Sequence, residues 1–251
     1  MLSVGCENNN IDEMKKVLGD VDEKRVKFLV CQESADEIID GTALVKELCA
    51  YADTFTRTEC AVSKVVLGLK CGGSDGFSGI TANPLVGRVS DRMIAMGGSA
   101  ILTEVPEMFG AETILMNRCR TREVFESTVS LINDFKDYFA SYGEPIDENP
   151  SPGNKAGGIS TLAEKALGCT QKCGSAIVED VLSYGESIRK QGLSLLQAPG
   201  NDLVAACALA AAGAHIVLFT TGRGTPFACP VPTMKIASNT VLATKKANWI
   251  D

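Results

Sequence analysis

The chain has 251 residues, with 24 Lys and Arg against 31 Asp and Glu, a formal net charge of −7. That excess of acid works against sequence-independent nucleic-acid binding and against an anionic membrane surface, while a local group of basic residues can still take a small anion. Hydrophobic residues make up 45% and charged residues 22%, the composition of a soluble globule with a substantial core, and no run of 18 apolar residues points to a membrane span.

Residues 1–7 lack the basic region and the long apolar core of a signal peptide. Strands are expected at 2–5 and 26–31 and helices at 11–18 and 35–52. A strand at 64–69 leads into a helix at 84–96. A strand at 100–103 follows, and then a helix at 123–140, where Val124, Phe125, Thr128, Leu131, Ile132, Phe135, Tyr138 and Phe139 share one face. Residues 141–158 are rich in Pro, Gly and Asn and read as a long functional loop. Strands at 193–197, 216–220 and 234–237 complete the series, with a helix of small apolar residues at 202–212 packed close on the sheet. Strands alternating with helices predict one α/β domain over 1–251, a Rossmann-like, mostly parallel sheet with helices on both faces.

In such a sheet, sites lie beyond the carboxyl ends of the strands. The residues there are polar: Cys6-Glu7-Asn8, Gln32-Glu33, Lys70 to Asp75, Glu104, Pro199 to Asp202 and Thr221 to Pro226. Lys70-Cys71-Gly72-Gly73-Ser74-Asp75 is the richest. Its glycines allow a sharp turn and a close backbone approach to a ligand. In Thr220 to Phe227, hydroxyls, glycine amides and the Arg223 guanidinium suit a carboxylate or a phosphate. Cys6, Glu7, Cys71 and Asp75 offer thiolate and carboxylate ligands to one Fe(II), Mn or Zn ion; two buried thiols are the alternative.

Other signals are weaker. Cys169 and Cys173 have one zinc-like spacing but no second pair, and read as a dithiol. The single histidine, His215, reads as structural and disfavours a Ser-His-Asp hydrolase. No Walker loop and no Gly-x-Gly-x-x-Gly after the first strand supports nucleotide binding. Ten cysteines scattered through a chain of this size predict free thiols and a cytoplasmic location.

Five motifs in collinear order carry a resemblance. They are Gly5-Cys6-Glu7-Asn8, Leu69 to Asp75, Asn149 to Gly158, Glu164-Lys165-Ala166-Leu167-Gly168 and Phe219 to Pro226. Together they resemble the C-terminal region of the altronate and galactarate dehydratases, a family that includes the sulfolactate sulfo-lyase large subunit. The resemblance implies a hydro-lyase acting on an anionic sugar acid and dependent on Fe2+, with Mn2+ or another divalent cation as a substitute. It also implies a homo-oligomer, or pairing with a separate chain that carries a β-rich N-terminal domain and a second domain. Sulfite elimination from sulfolactate and a non-catalytic subunit are the alternative readings.

Dehydrating such an acid means removing a weakly acidic proton α to a carboxylate and expelling a β-hydroxyl. Lys70 and Lys155 are the expected base or carboxylate clamp, since a desolvated lysine lowers its pKa toward neutrality. Gly72, Gly73, Ser74, Asn154, Thr221, Arg223 and Thr225 are the expected substrate contacts, and Cys6, Glu7, Cys71 and Asp75 the expected metal ligands.

Overall fold

The computed structural model describes residues 1–8 and 10–251. Residues 53–61 run exposed, without helix or strand, up to a 3-10 turn at Val62–Lys64. On either side the chain forms a compact unit, Met1–Glu59 and Cys60–Asp251. The sequence reading of one domain over 1–251 stands beside two compact units here, divided at an exposed segment.

The first unit holds β1 (Leu2–Ser3), α1 (Ile11–Leu18), β2 (Leu29–Val30) and α2 (Glu37–Ala52). β1 and β2 pair in parallel. Asn10 caps α1 by accepting from Glu13 N, and Asp36 caps α2 by accepting from Ile38 N and Ile39 N.

The second unit is built on β3 (Val66–Cys71), α3 (Ala82–Ala95), β4 (Ser99–Leu102), α4 (Glu112–Met116), α5 (Arg122–Ser141), α6 (Pro152–Ala156), α7 (Leu162–Thr170), β5 (Val178–Leu182), β6 (Gly192–Leu196), α8 (Asp202–Ala211), β7 (Ile216–Thr221), β8 (Thr233–Ala237) and α9 (Thr240–Lys245). The six strands form one parallel sheet in the order β5-β6-β4-β3-β7-β8. Alternate residues of each strand feed two cores. Leu67, Leu69, Ala100, Leu102, Leu193 and Leu195 face α3 and α5, while Val66, Ile101, Leu196, Val217 and Phe219 face α8. Among the described residues, no helix is long and apolar enough to cross a membrane.

The chain leaves β3 toward β4 on one side and returns from β6, through α8, to β7 on the other. Strand order therefore reverses around β3, and the crevice beyond its carboxyl end is where such a sheet binds ligands. Two close approaches shape this region. A Cβ on Gly68 would meet Val217 at 2.9 Å and Leu209 at 3.2 Å, so the glycine lets α8 lie against β3. A Cβ on Gly87 in α3 would stand 2.2 Å from Gln171 O, at the turn that follows α7.

Sequence patterning misses β5, α4, α6, α7 and α9. β5 places Glu179 and Asp180 between apolar residues, which breaks the buried run expected of a parallel strand. The expected long loop contains α6, closed by a capping box between Ser151 and Asn154. Gly87→Ala should lower stability by about 1–3 kcal/mol, because neither the α3 backbone nor the Gln171 carbonyl can retreat cheaply. Urea unfolding of the whole chain measures it, and an unchanged midpoint would show that the crossing is looser than described.

Candidate active site

β3 is buried on both faces, so its lysine is buried with it: Lys70 has no exposed surface. Burying an ammonium group demands partners. Lys70 Nζ lies 2.5 Å from Glu104 Oε1 and 2.9 Å from Asp202 Oδ1, and donates to Cys71 O at 3.1 Å. Burial opposes its charge, but Glu104 and Asp202 outweigh burial and raise its pKa. Lys70 is a fixed cation, which suits a clamp and not a base.

Glu104 follows β4 and is the one non-glycine with positive φ among the described residues, at 68°. A left-handed glutamate costs about 1–3 kcal/mol and persists only where its surroundings over-determine it. Here Lys70 and the Cys71 N–H, at 3.3 Å from Oε2, both hold the carboxylate. Burial, aided by Glu107, pushes Glu104 up to about 8. Its oxygens nonetheless face an ammonium and an amide donor, so the pair with Lys70 is ionic.

A second set adjoins the first. Glu107 sits 3.1 Å from Lys165 Nζ and 3.4 Å from Lys172 Nζ, and these ammonium groups hold its carboxyl below the usual range against burial. Cys71 Sγ lies 2.9 Å from Lys172 Nζ, 3.0 Å from Glu107 Oε2 and 3.6 Å from Cys169 Sγ. The Cys169 hydrogen bond, with Lys172 and Lys165, lowers the Cys71 thiol to about 5 against burial, and the same bond raises Cys169. Three buried cations, Lys70, Lys165 and Lys172, thus face the buried carboxyls of Glu104 and Glu107 and the Cys71 sulfur, with half-exposed Asp202 at the margin.

The cluster opens into a cleft of about 960 Å³. Its walls include Cys71, Gly72, Gly73, Glu104, Glu107 and Lys165, with Asn154, Asp202 and Arg223 opposite or beside them. Gly73, at φ 61°, joins the loops that follow β3 and β7: its carbonyl accepts from Gly222 N at 3.0 Å and Arg223 N at 2.8 Å. The Arg223 side chain is exposed and makes no hydrogen bond or ion pair among the described residues.

Of the other expected contacts, Asn154 lines the cleft, whereas Ser74, Thr221 and Thr225 lie outside its lining. Ser74 Oγ accepts from Lys165 at 2.9 Å, and Ser74 O accepts from Asn154 Nδ2 at 2.8 Å. Thr221 Oγ1 is buried and accepts from Gly224 N. Thr225 Oγ1 accepts from Phe227 N. Lys155 is exposed on α6 and does not line the cleft.

Of the expected metal ligands, Asp75 accepts from Ser78 N, Ser78 Oγ, Ser238 Oγ and Asn239 Nδ2, which leaves its carboxylate spent on structure. Cys6 and Glu7 belong to the first unit. There Cys6 is exposed, and Glu7 accepts from Ser3 Oγ, Val4 N and Gly5 N; the Ser3 hydroxyl first, then the Gly5 amide, hold it down to about 2.

Among the described residues, three potential ligands converge in one place only: Cys71, Glu107 and Cys169. Two sulfurs and a carboxylate suit Fe(II) or Zn by type. Their charge is already taken, since Lys172 touches both Cys71 and Glu107 and Lys165 touches Glu107. An ammonium group about 4 Å away opposes each unit of an ion's charge by about 4 kcal/mol at an effective dielectric of about 20. The set does not fit a divalent ion while these lysines stay in place.

The family model described as "D-galactarate/Altronate dehydratase, C-terminal" matches residues 62–251. The chain belongs to this family. A second model, "D-galactarate dehydratase/Altronate hydrolase, second domain", matches residues 1–53, the stretch that forms the first unit. Altronate dehydratase of Bacillus subtilis is 62% identical over 251 residues, all of this chain and 50% of the relative. That of Escherichia coli is 56% identical over 251 residues, covering 51% of the relative. Galactarate dehydratase (L-threo-forming) of Escherichia coli is 39% identical over 196 residues, 78% of this chain and 37% of the relative. The chain therefore spans about half the length of the altronate dehydratases it matches.

Of the site residues singled out from the sequence, the structure brings Cys71, Gly72, Gly73, Asn154 and Arg223 to one cleft and pairs Lys70 with Glu104 and Asp202 of its walls; Glu107, Lys165, Cys169 and Lys172 were not among them. Lys165 stood inside a quoted motif, Glu164 to Gly168. Nothing in the local pattern of Glu107 or Lys172 reveals that each is buried. Lys70→Met should destabilise the second unit by about 3–5 kcal/mol, because Glu104 is left buried without its cation. Lys70→Met with Glu104→Leu should recover a large part of that loss. Chemical denaturation of both variants checks this, and equal losses in the two would show that the pair is not coupled.

Proposed function

We propose that this chain forms the sugar-acid site of an altronate-type hydro-lyase. The observation that carries the reading is the cleft at the end of β3, where buried lysines and the Cys71 sulfur stand near an exposed arginine that makes no ion pair among the described residues. Identity of 62% and 56% to altronate dehydratases, against 39% to a galactarate dehydratase, favours an aldonate over a diacid.

In this reading Arg223 takes the substrate carboxylate through its planar fork. The proton α to that carboxylate passes to Cys71 Sγ, the least protonated group on the wall that is not an ion-paired carboxylate. Lys165 and the fixed charge of Lys70 stabilise the enediolate as it forms. The β-hydroxyl departs and recovers the same proton from sulfur, so water leaves, the thiolate is restored and the enol relaxes to a 2-oxo-3-deoxy acid. The iron implied by the family resemblance finds no fitting ligand set in the second unit, and no step depends on it here. All ten cysteines are free, which supports a reducing, cytoplasmic setting.

A second reading follows from the half-length match. The chain binds the sugar acid but turns it over only with a partner that supplies the rest of the relatives' length. Calorimetry and a 2-oxo-acid assay with altronate, galactarate and sulfolactate separate the readings. Altronate binding with product supports the first, and binding without product supports the second. Absence of binding to all three acids overturns both, and sulfite release from sulfolactate assigns a sulfo-lyase instead. Arg223→Lys should weaken altronate binding about tenfold or more, since a point charge cannot replace the fork; an unchanged Kd removes Arg223 from the carboxylate.

A further inference from the structure

The spacing of Cys169 and Cys173 suggests that they pair with each other, but the fold separates their roles. Cys173 Sγ donates to Thr170 O at 2.9 Å and accepts from Arg118 at 3.1 Å. Cys169 Sγ turns instead to Cys71 Sγ, 98 residues away in sequence and 3.6 Å away in space. β3 supplies one sulfur and α7 the other.

The pair stands between two cavities. Cys71 lines the cleft, and Cys169 lines a second cavity of about 480 Å³ under α7. Both side chains are almost fully buried, at 1% and 3% exposure. Each sulfur belongs to a residue of a cavity wall, so a small peroxide has space beside either one. Lys172 Nζ, 2.9 Å from Cys71 Sγ, favours the thiolate, which is the nucleophilic form of the sulfur.

We propose that Cys71 and Cys169 are a peroxide-sensitive dithiol that closes to an intramolecular disulfide between β3 and α7. Cys71 thiolate attacks one peroxide oxygen, the O–O bond breaks, and the departing hydroxide takes a proton to become water. Cys71 is then a sulfenic acid. Cys169 attacks that sulfur, the S–O bond breaks, and the hydroxide leaves as water with the Cys169 proton. The two sulfurs have lost two electrons and the peroxide has gained them. Closing the bond asks for about 1.5 Å of sulfur movement from 3.6 Å to the usual disulfide length of about 2.05 Å. It also draws Cys71 away from Lys172.

This inference rests on the sulfur positions and stands whether or not the hydro-lyase reading does. The whole chain is treated with hydrogen peroxide, alkylated and mapped by peptide mass spectrometry. The expected product is a linked pair of peptides carrying Cys71 and Cys169, two hydrogens lighter than the reduced pair and released by dithiothreitol. In Cys169→Ser the linked pair disappears and Cys71 stops at a sulfenic acid, which a dimedone probe captures. Oxidation confined to exposed Cys6, Cys49 and Cys60, with Cys71 and Cys169 both still alkylated, overturns the proposal, as does a Cys71–Cys173 linkage. Should Cys169→Ser fail to fold, the map of the unsubstituted chain decides alone.

Discussion

A lysine sealed inside a parallel sheet has to be answered by carboxylates, and Lys70 imposes that demand at the centre of this fold. The answer comes from two other strand ends. Glu104 reaches it from the end of β4 by adopting a left-handed backbone, and Asp202 reaches it from the first turn of α8. The three segments are thereby fixed to one point beyond the central strand. The strain at Glu104 and the desolvation of Lys70 each cost free energy, and the ion pair offsets both only because the partners arrive together.

The rest of the site is arranged around that point. Glu107 lies one turn beyond Glu104 and meets Lys165 and Lys172, which α7 and its following turn bring in. Cys71 is the next residue after Lys70 and points into this second group, because successive strand residues face opposite sides of a sheet. The close crossing at Gly87 lets the turn after α7 approach α3, and the small residues of α8 let it settle on β3. Charge is balanced within the cluster and not by solvent, so its electrostatics are weakly screened by salt. The cleft presents buried Lys165 on one wall and exposed Arg223 on another.

Much of this architecture was legible in the sequence, and the illegible part has physical causes. Seven of the eight strands and the parallel sheet follow from apolar runs such as Leu67 to Leu69 and Val217 to Phe219, which alternate between two cores. The glycine-rich loop after β3 and the Thr-Gly-Arg turn after β7 were recognisable by composition. Their joining through the Gly73 carbonyl was not, because it depends on strand order. Glu107 and Lys172 carry no local sign of burial; each reads as a surface charge until the tertiary fold encloses it. Asp75 misleads in the opposite direction. Its place in a glycine-rich loop suggests a ligand, but Ser78, Ser238 and Asn239 consume its acceptors. A cysteine two turns along α7 pairs with one on β3, which no spacing rule within either segment could reveal.

The strand that sequence patterning missed, β5, forms one border of the sheet. Its start is covered by the backbone of residues 118–120, where Val178 N donates to Arg118 O and Arg120 N donates to Val178 O. Beyond that, Arg120 pairs with Glu179, and Arg189 and Lys190 pair with Asp180. The acids that hide β5 from a hydrophobic search thus line the one border of the sheet with charge. A strand from another molecule that tried to extend the sheet there would have to displace these ion pairs, so β5 gives the chain resistance to edge-to-edge aggregation.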